Sequence, residues 1–259
     1  MKIILKELFA YREMIYNLVK KDLRGRYKGT LLGFLWTFIN PLMQLIVYTI
    51  VFSVILDSTI EKYYLYLFVG LVPWIFFSSA VTGGATSILS QQDMVKKIYF
   101  PRAVLPIAYV TSSFFNMLFS FIVIFIVIFI SGIGFSLKTI FFLPLIFLVE
   151  YILALGVALL SSSLTVYFRD LEHILGILTM AWMYMTPIVY SIDVVPVSLL
   201  PIFNLNPMTP IINAYRDILY YQKIPDFLTL SHAFFLGVVF LVIGGIVFSK
   251  LQRNFVEEL

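Results

Sequence analysis

Long apolar runs separated by short polar segments dominate the chain. The six longest runs carry almost no charged side chains and cover residues 32–56, 63–92, 103–137, 139–168, 174–192 and 227–249. A helix of roughly 20 apolar residues crosses the hydrocarbon core of a bilayer, which is about 30 Å thick. The pattern therefore predicts an all-α membrane protein with six transmembrane helices.

The composition of the chain agrees with this fold class. Hydrophobic residues make up 61% and charged residues only 12% of the sequence, whereas soluble domains carry about 25% charged residues. Because the chain contains no cysteine, disulfides and thiolate metal sites are excluded.

The placement of lysine and arginine predicts the orientation. Fourteen of the 18 cations lie in residues 1–31, in the loops 91–103 and 167–173, and in the tail 250–259; the other four are Lys62, Lys138, Arg216 and Lys223. Short cytoplasmic loops are rich in lysine and arginine. We therefore expect both termini and these two loops to be cytoplasmic.

Residues 1–31 are expected to form an interfacial segment ahead of the membrane domain 32–249, which is followed by a cytoplasmic tail, 250–259. Within 3–28 the apolar residues recur at steps of three or four, and cations fill much of the remaining arc. This pattern predicts an amphipathic helix that lies on the cytoplasmic surface and contacts anionic membrane lipids.

Three cations crowd the point where the chain enters the bilayer: Arg24, Arg26 and Lys28. Such side chains form strong charge-assisted hydrogen bonds with phosphate. Two interpretations follow. Either the three hold a phosphate of a lipid substrate, or they only fix the topology and anchor the helix.

Proline is concentrated late in the chain, where five of the eleven prolines fall between residues 185 and 210. The segment at about 193–226 is apolar but too broken to cross, so we expect re-entrant helices on the extracytoplasmic side. Thr209 is expected to cap one of them, with Pro210 at its first position. Irregular backbone at membrane depth requires shielding, so this segment either lines a cavity or forms a surface cap.

The sequence lacks the motifs of an autonomous enzyme. It has no phosphate-binding GxxxxGK[ST] loop, no HExxH and no DxD, and its histidines, His173 and His232, are isolated. Glu150 is the one acid well inside a run, and it is either a functional group or the partner of another helix. We expect no catalytic residues, no metal site, no cofactor and no nucleic-acid partner, and any energy source must come from outside the chain.

Four motifs, in order, are similar to those of a known family. They are LRGRYKGTLLGFLWTFINPLMQLIVYTIVF from Leu23 to Phe52, MVKKIYFPRAVLP, YFRDLEHILGILTMAWMYMTPIVY and NLNPMTPIINAYRD. The chain resembles the permease subunit of bacterial type-2 ABC exporters that move lipid-linked polysaccharides: O antigen, capsule or teichoic acid. The resemblance implies a homodimer of six-span subunits in the cytoplasmic (inner) membrane and two copies of an ABC ATPase that holds the ATP and Mg²⁺.

The resemblance also assigns roles to particular residues. Leu32 and Gly33 match a turn that helps to form the gate for the lipid, and short helices between the last two spans close the exit. The ATPase would contact the loop between the second and third spans through Asp93, Lys96, Lys97 and Arg102.

Two stripes of aromatic, amide and hydroxyl groups recur at helical spacing. The first consists of Trp36, Asn40, Gln44 and Tyr48, and the second of Trp182, Thr186 and Tyr190. Such side chains stack on sugar rings and donate hydrogen bonds without net charge, which suits a channel for a sliding polymer. Alternatively, the polar groups join helices and the tryptophans lie at the membrane interface.

The residues and the resemblance together predict a permease that translocates a polyprenyl-pyrophosphate-linked polysaccharide, driven by a partner ATPase. The main alternative is a type-2 ABC exporter permease for drugs or small lipids. A membrane enzyme acting on polyprenyl lipids would need a catalytic set of surface carboxylates, which we do not find in the sequence. A structural scaffold would leave the polar stripes without a role.

Overall fold

The computed structural model describes residues 9–26, 29, 31–51 and 60–259. Within these ranges the regular elements are helices and short 3-10 turns, without β-strands. We number the helices α1 (Arg12–Gly25), α2 (Trp36–Thr49), α3 (Tyr63–Thr86), α4 (Gln92–Lys97), α5 (Val104–Ser131), α6 (Leu137–Ile140), α7 (Leu143–Tyr167), α8 (Leu171–Tyr184), α9 (Leu200–Leu205), α10 (Met208–Leu219), α11 (Phe227–Leu251) and α12 (Phe255–Glu258). The predicted all-helical class is confirmed.

Four of the predicted spans correspond to helices long and apolar enough to cross a membrane. In the described ranges these are Tyr63–Thr86, Val104–Ser131, Leu137–Tyr167 and Phe227–Glu258. The other two predicted spans contain α2 and α8, each with 14 residues, or about 21 Å at 1.5 Å per residue. Pro187 follows α8 closely and disfavours helical backbone at the residue before it.

Helix α3 forms the centre of the bundle. Most of its side chains are apolar, and Leu65, Phe68 and Phe77 are completely buried. It packs against α2, α5, α7, α8 and α10. A helix that is hydrophobic all round belongs in a protein interior, so α3 is the element against which the others are positioned.

Helices α7 and α11 form the most extensive helix pair, and glycines allow their close approach. A Cβ atom at Gly156 would lie 2.7 Å from the carbonyl carbon of Phe240, and one at Gly244 would lie 3.2 Å from the backbone nitrogen of Leu160. Small residues let apolar helices approach backbone to backbone. This pairing holds the last long helix to the bundle.

The segments predicted to be cytoplasmic meet at one end of the bundle. A buried cluster there combines Val95 and Phe100 from the loop 91–103 with Phe255 from the C-terminal segment. The predicted apolar face of α1 packs against the same cluster through Ile15 and Leu18. The prediction for residues 3–8 and 27–28 of this helix lies outside the described residues.

The segments predicted to lie on the opposite face also meet. The Lys62 ammonium donates to the carbonyl of Ser131 at 3.0 Å, and the Gln222 amide donates to the carbonyl of Ile133 at 2.7 Å. The two predicted sets of loops are therefore separated at opposite ends of the bundle.

Helix α10 buries one apolar face, which consists of Ile211, Ile212, Tyr215, Ile218 and Leu219. The predicted cap is wrong. The helix begins at Met208, and the Asn206 side-chain oxygen accepts a hydrogen bond from the Met208 backbone N–H at 3.0 Å. Thr209 lies inside the helix.

Candidate functional site

A partly enclosed cavity of about 230 Å³ lies between the end of α1 and helices α2, α3 and α5. Its lining is unusually polar for an apolar bundle. Eight of its 14 lining residues are polar or charged: Arg26, Thr37, Asn40, Gln44, Ser79, Ser113, Asn116 and Ser120.

Three members of the first predicted stripe line this cavity. Trp36, Asn40 and Gln44 stand one turn apart on α2 and present an indole and two amides to it. The fourth member, Tyr48, packs against the main apolar core instead. The structure thus brings together the part of the stripe nearest to the start of α2.

A proline creates part of the polar character of the cavity. Pro41 has no N–H, so it leaves the carbonyl of Thr37 without its usual helical partner. The Ser120 hydroxyl from α5 approaches that carbonyl at 3.5 Å. The Thr37 hydroxyl is buried and makes no hydrogen bond with any described residue. This wall therefore holds a hydroxyl with unused hydrogen-bonding capacity.

Arg26 supplies the positive charge of the cavity. Its guanidinium donates to the Asp22 carboxylate at 2.9 Å and to the Ser113 hydroxyl at 3.0 Å. The guanidinium also lies 5.4 Å from the centroid of the Tyr109 ring. The Ser112 hydroxyl donates to the same Asp22 oxygen. These contacts fasten the end of α1 to α5 and aim a cation at the cavity.

The other residues predicted to form the gate for the lipid are placed differently. Arg24 is exposed on α1 and is absent from the cavity lining, and Lys28 lies outside the described residues. Leu32 is 41% exposed. Gly33 has φ +49°, a left-handed conformation that glycine adopts at little cost. A turn does therefore precede α2 at the predicted position.

The second predicted stripe is tied to the re-entrant segment. The Trp182 indole N–H donates to the Asn206 side-chain oxygen at 2.8 Å, and the Asn206 amide donates to the Thr186 hydroxyl at 2.8 Å. The Tyr190 hydroxyl donates to the carbonyl of Tyr184. None of these stripe residues lines the cavity beside Arg26.

The residues predicted to contact an ATPase surround the short helix α4. Asp93, Lys96 and Lys97 are exposed on it, and the buried Val95 anchors the helix to the cluster at that end of the bundle. Arg102 is half-buried, and its Nε atom makes no hydrogen bond with a described residue. The structure thus presents one acid and two cations on a firmly anchored helix.

The most informative residue that sequence reasoning missed is Arg216. It was counted as a loop cation, but it is 1% exposed. Its guanidinium donates to the carbonyls of Pro187 and Ile188, and its Nε donates to the carbonyl of Tyr66 at 3.3 Å. The Arg216 guanidinium remains charged at neutral pH, because arginine is effectively always protonated in proteins.

A signal for this burial was present in the sequence. Arg216 stands four residues after Ile212 and three before Leu219, on the same apolar stripe of α10. A cation at such a position is more consistent with burial among carbonyls than with an exposed loop.

Glu150, the intramembrane acid, faces a helix partner. It is completely buried, and one of its oxygens accepts a hydrogen bond from the Tyr215 hydroxyl at 2.6 Å. Its other oxygen makes no hydrogen bond with any described residue. The pair joins α7 to α10, deep in the bundle.

The cavity beside Arg26 is suited to binding, because a guanidinium binds phosphate oxygens and the adjacent indole and amides offer a ring face and uncharged donors. The described residues contain no group of three or more His, Asp or Glu side chains that could hold a metal ion. The arrangement resembles a recognition site more than a catalytic centre.

Comparison with known proteins identifies relatives over nearly the whole chain. An O-antigen export system permease protein of Myxococcus xanthus, RfbA, is 32% identical over 260 residues, which cover 99% of each chain. A protein of the same name from Klebsiella pneumoniae is 33% identical over 247 residues, 95% of each chain. The polysialic acid transport protein KpsM of Escherichia coli is 21% identical over 230 residues, which cover 86% of this chain and 88% of KpsM.

A family profile matches most of the chain. Residues 13–220, from α1 through α10, match the family described as ABC-2 type transporter. The match includes the cavity, helix α4 and the segment that carries Arg216, and the apolar helices indicate a multi-pass membrane protein. The chain therefore belongs to the ABC-2 type transporter family of membrane proteins.

Proposed function

We propose that the chain is the transmembrane subunit of an ATP-driven exporter. Its cargo is a polysaccharide linked to a polyprenyl pyrophosphate, such as O antigen or teichoic acid, which it moves across the bacterial cytoplasmic membrane. The names of the relatives support a polysaccharide cargo, since two are O-antigen export permeases and a third is a polysialic acid transport protein.

One observation carries this proposal: the cavity contains both a cation and three residues of the first predicted stripe. Arg26 provides a cation for a pyrophosphate, and Trp36, Asn40 and Gln44 place an indole and two uncharged amides beside it. The volume of about 230 Å³ is below the roughly 300–1,000 Å³ of sites for drug-sized ligands. The cavity is thus suited to the head of the lipid-linked substrate, and the polymer requires a wider path.

We propose that this wider path lies between two copies of the chain. Each subunit would have six spans, with α2 and α8 belonging to the first and fifth. Both helices carry large exposed apolar side chains, among them Met43 and Val47 on α2 and Leu178 and Tyr184 on α8. A second copy would cover these faces, and the predicted stripes on the same two helices would line the path.

The energy would come from two copies of an ABC ATPase that bind ATP and Mg²⁺. The chain itself has no phosphate-binding loop. The exposed Lys96 and Lys97 on α4 would contact the ATPase on the cytoplasmic side, where we also expect both termini from the charge distribution.

An ATPase assay tests this proposal. The purified chain in nanodiscs should hydrolyse no ATP, and hydrolysis should appear when the ABC ATPase from the same organism is added. A polyprenyl-linked glycan should stimulate that hydrolysis, whereas small drugs and simple lipids should not. ATP turnover by the chain alone, or stimulation by drugs but not by the glycan, would contradict the proposal.

A further inference from the structure

A second site lies next to the cavity, in a groove between α3 and α8. The groove has a volume of about 710 Å³, within the roughly 300–1,000 Å³ typical of small-molecule sites. One end is polar and is formed by Thr82, Thr86, Glu172 and His173. The other end is apolar, with Ile177 and Met180. Neither the predicted stripes nor the predicted gate includes any of these residues.

The groove and the cavity follow the same face of α3. Phe76 and Ser79 line the cavity, and Gly83 and Thr86 line the groove. These positions are separated by steps of three and four residues, so they form one continuous stripe. A molecule in the cavity would therefore lie about one helical turn from a molecule in the groove, or about 5 Å along the helix axis.

Tyr109 stands between the two sites. Its hydroxyl lies 3.4 Å from the Ser79 hydroxyl, and its ring centroid lies 5.4 Å from the Arg26 guanidinium carbon. Gly83 packs directly against it, since a Cβ atom there would overlap the Tyr109 side chain. The Arg26 guanidinium and the groove therefore lie close together, on either side of the Tyr109 ring.

The groove offers both hydrogen-bond acceptors and a donor. The Thr82 and Thr86 hydroxyls on α3 donate to backbone carbonyls of their own helix at 2.9 and 3.2 Å. Each therefore has lone pairs left to accept hydrogen bonds. On the other side of the groove, α8 contributes the Glu172 carboxylate, which accepts, and the His173 imidazole, which donates through a ring N–H. Such a mixed set suits the hydroxyl groups of a sugar, each of which can both donate and accept.

We propose that the groove binds the sugar directly attached to the pyrophosphate of the lipid carrier. This inference rests on the proposed function. With the pyrophosphate at Arg26, the first sugar would occupy the groove, on the side of the predicted cytoplasmic end of α3. The subunit would then read the junction between sugar and pyrophosphate rather than the pyrophosphate alone.

Glu172 and Gly176 provide the test of this site. Glu172→Gln removes the charged acceptor at almost constant size. No atom lies within 4 Å of a Cβ atom built at Gly176, so Gly176→Leu would fill the groove without a backbone clash. Asp170→Asn is the matched control for the first change, because Asp170 is exposed nearby but does not line the groove. Gly245→Leu is the control for the second, because a Cβ atom at Gly245 also meets open space.

The experiment measures binding of three lipids to the full chain in nanodiscs: polyprenyl pyrophosphate without sugar, with one hexose, and with one N-acetylhexosamine. At least one sugar-bearing lipid should bind the native chain about tenfold more tightly than the bare lipid, the effect of one charge-assisted hydrogen bond. Glu172→Gln and Gly176→Leu should abolish that difference and leave the affinity for the bare lipid unchanged. The two controls should retain it.

Equal affinity of the native chain for all three lipids would overturn the inference, as would a sugar preference that survives both groove variants. Arg26→Gln should weaken binding of all three lipids, so that result would leave the proposed function in place. If none of the lipids binds the native chain, the lipid-carrier proposal fails and the sugar site fails with it. Bare-lipid binding by each groove variant shows that the variant has folded.

Discussion

The guanidinium carbon of Arg216 lies 3.6 Å from the centroid of the Tyr66 ring. This contact places a cation from α10 against the central helix α3, in a site closed to solvent. The same guanidinium donates to the carbonyls of Pro187 and Ile188, just beyond the end of α8. One side chain therefore joins α10 to the core and satisfies the irregular backbone that follows Pro187, as apolar surroundings require.

Replacing Arg216 should destabilise the fold strongly. Arg216→Met leaves buried carbonyls without donors, and each unsatisfied group costs about 1–3 kcal/mol. We expect the free energy of unfolding to fall by about 3 kcal/mol or more, measured by thermal unfolding in detergent. Lys223→Met is the control, because that lysine is largely exposed and its contacts, an ion pair with Asp217 and the ring of Tyr221, lie at the surface. Similar shifts in the two variants would show that the buried contacts contribute little.

The glycine contact between α7 and α11 gives a second stability prediction. A Cβ atom at Gly156 would overlap the backbone of α11, whereas one at Gly245 would meet nothing within 4 Å. Gly156→Ala should therefore lower the unfolding temperature, with an overpacking cost of about 1–3 kcal/mol. Gly245→Ala should leave it unchanged or raise it slightly, because alanine favours the helix. A rise with Gly156→Ala would contradict the observed packing.

The long apolar helices could be predicted from the sequence, and the reason is physical. A run such as 103–137 has no charge, so only a buried or membrane-embedded helix satisfies its backbone. The placement of lysine and arginine also divided the loops into two sets, and loops of each set meet at one end of the bundle. This count of cations was misleading for Arg216, because it assumed that every cation lies in a loop.

The site was predictable only where its residues are neighbours on one helix. Trp36, Asn40 and Gln44 line one cavity because their spacing of four places them on one face of α2. The partner of Trp182 is Asn206, and only the fold brings these residues together. The groove likewise needs two helices that are far apart in the sequence, so no local pattern indicated it.

The geometry of the cavity predicts that Arg26, rather than Arg24, binds the substrate. Arg26→Gln should reduce glycan-stimulated ATP hydrolysis by about tenfold or more, because a charge-assisted hydrogen bond to phosphate is lost. Arg24→Gln removes the same charge from the same segment, but Arg24 is exposed and does not line the cavity, so it should change hydrolysis little. Thermal unfolding of both variants separates lost binding from lost structure. Equal loss of hydrolysis would indicate that only membrane anchoring is at stake.

We predict that the ATPase contacts the exposed lysines of α4. Reversing charge at both Lys96 and Lys97 should prevent co-purification of the ATPase, while the variant still inserts into the membrane. The matched control reverses charge at Lys20 and Lys21, an adjacent pair of exposed lysines on α1. Undiminished co-purification with the α4 variant would mean that the ATPase contacts another surface.

Direct transport is the measurement that tests the central claim, namely that this chain moves a lipid-linked polysaccharide with energy from a partner. Proteoliposomes containing the chain and its ATPase would receive a labelled polyprenyl-pyrophosphate-linked glycan in the leaflet that faces the ATPase. Exposure of the glycan to a glycosidase on the opposite side would then be followed over time. The account predicts that exposure requires ATP, both proteins and an intact Arg26. Exposure at the same rate without ATP or without this chain would contradict it, as would no exposure when all components are present.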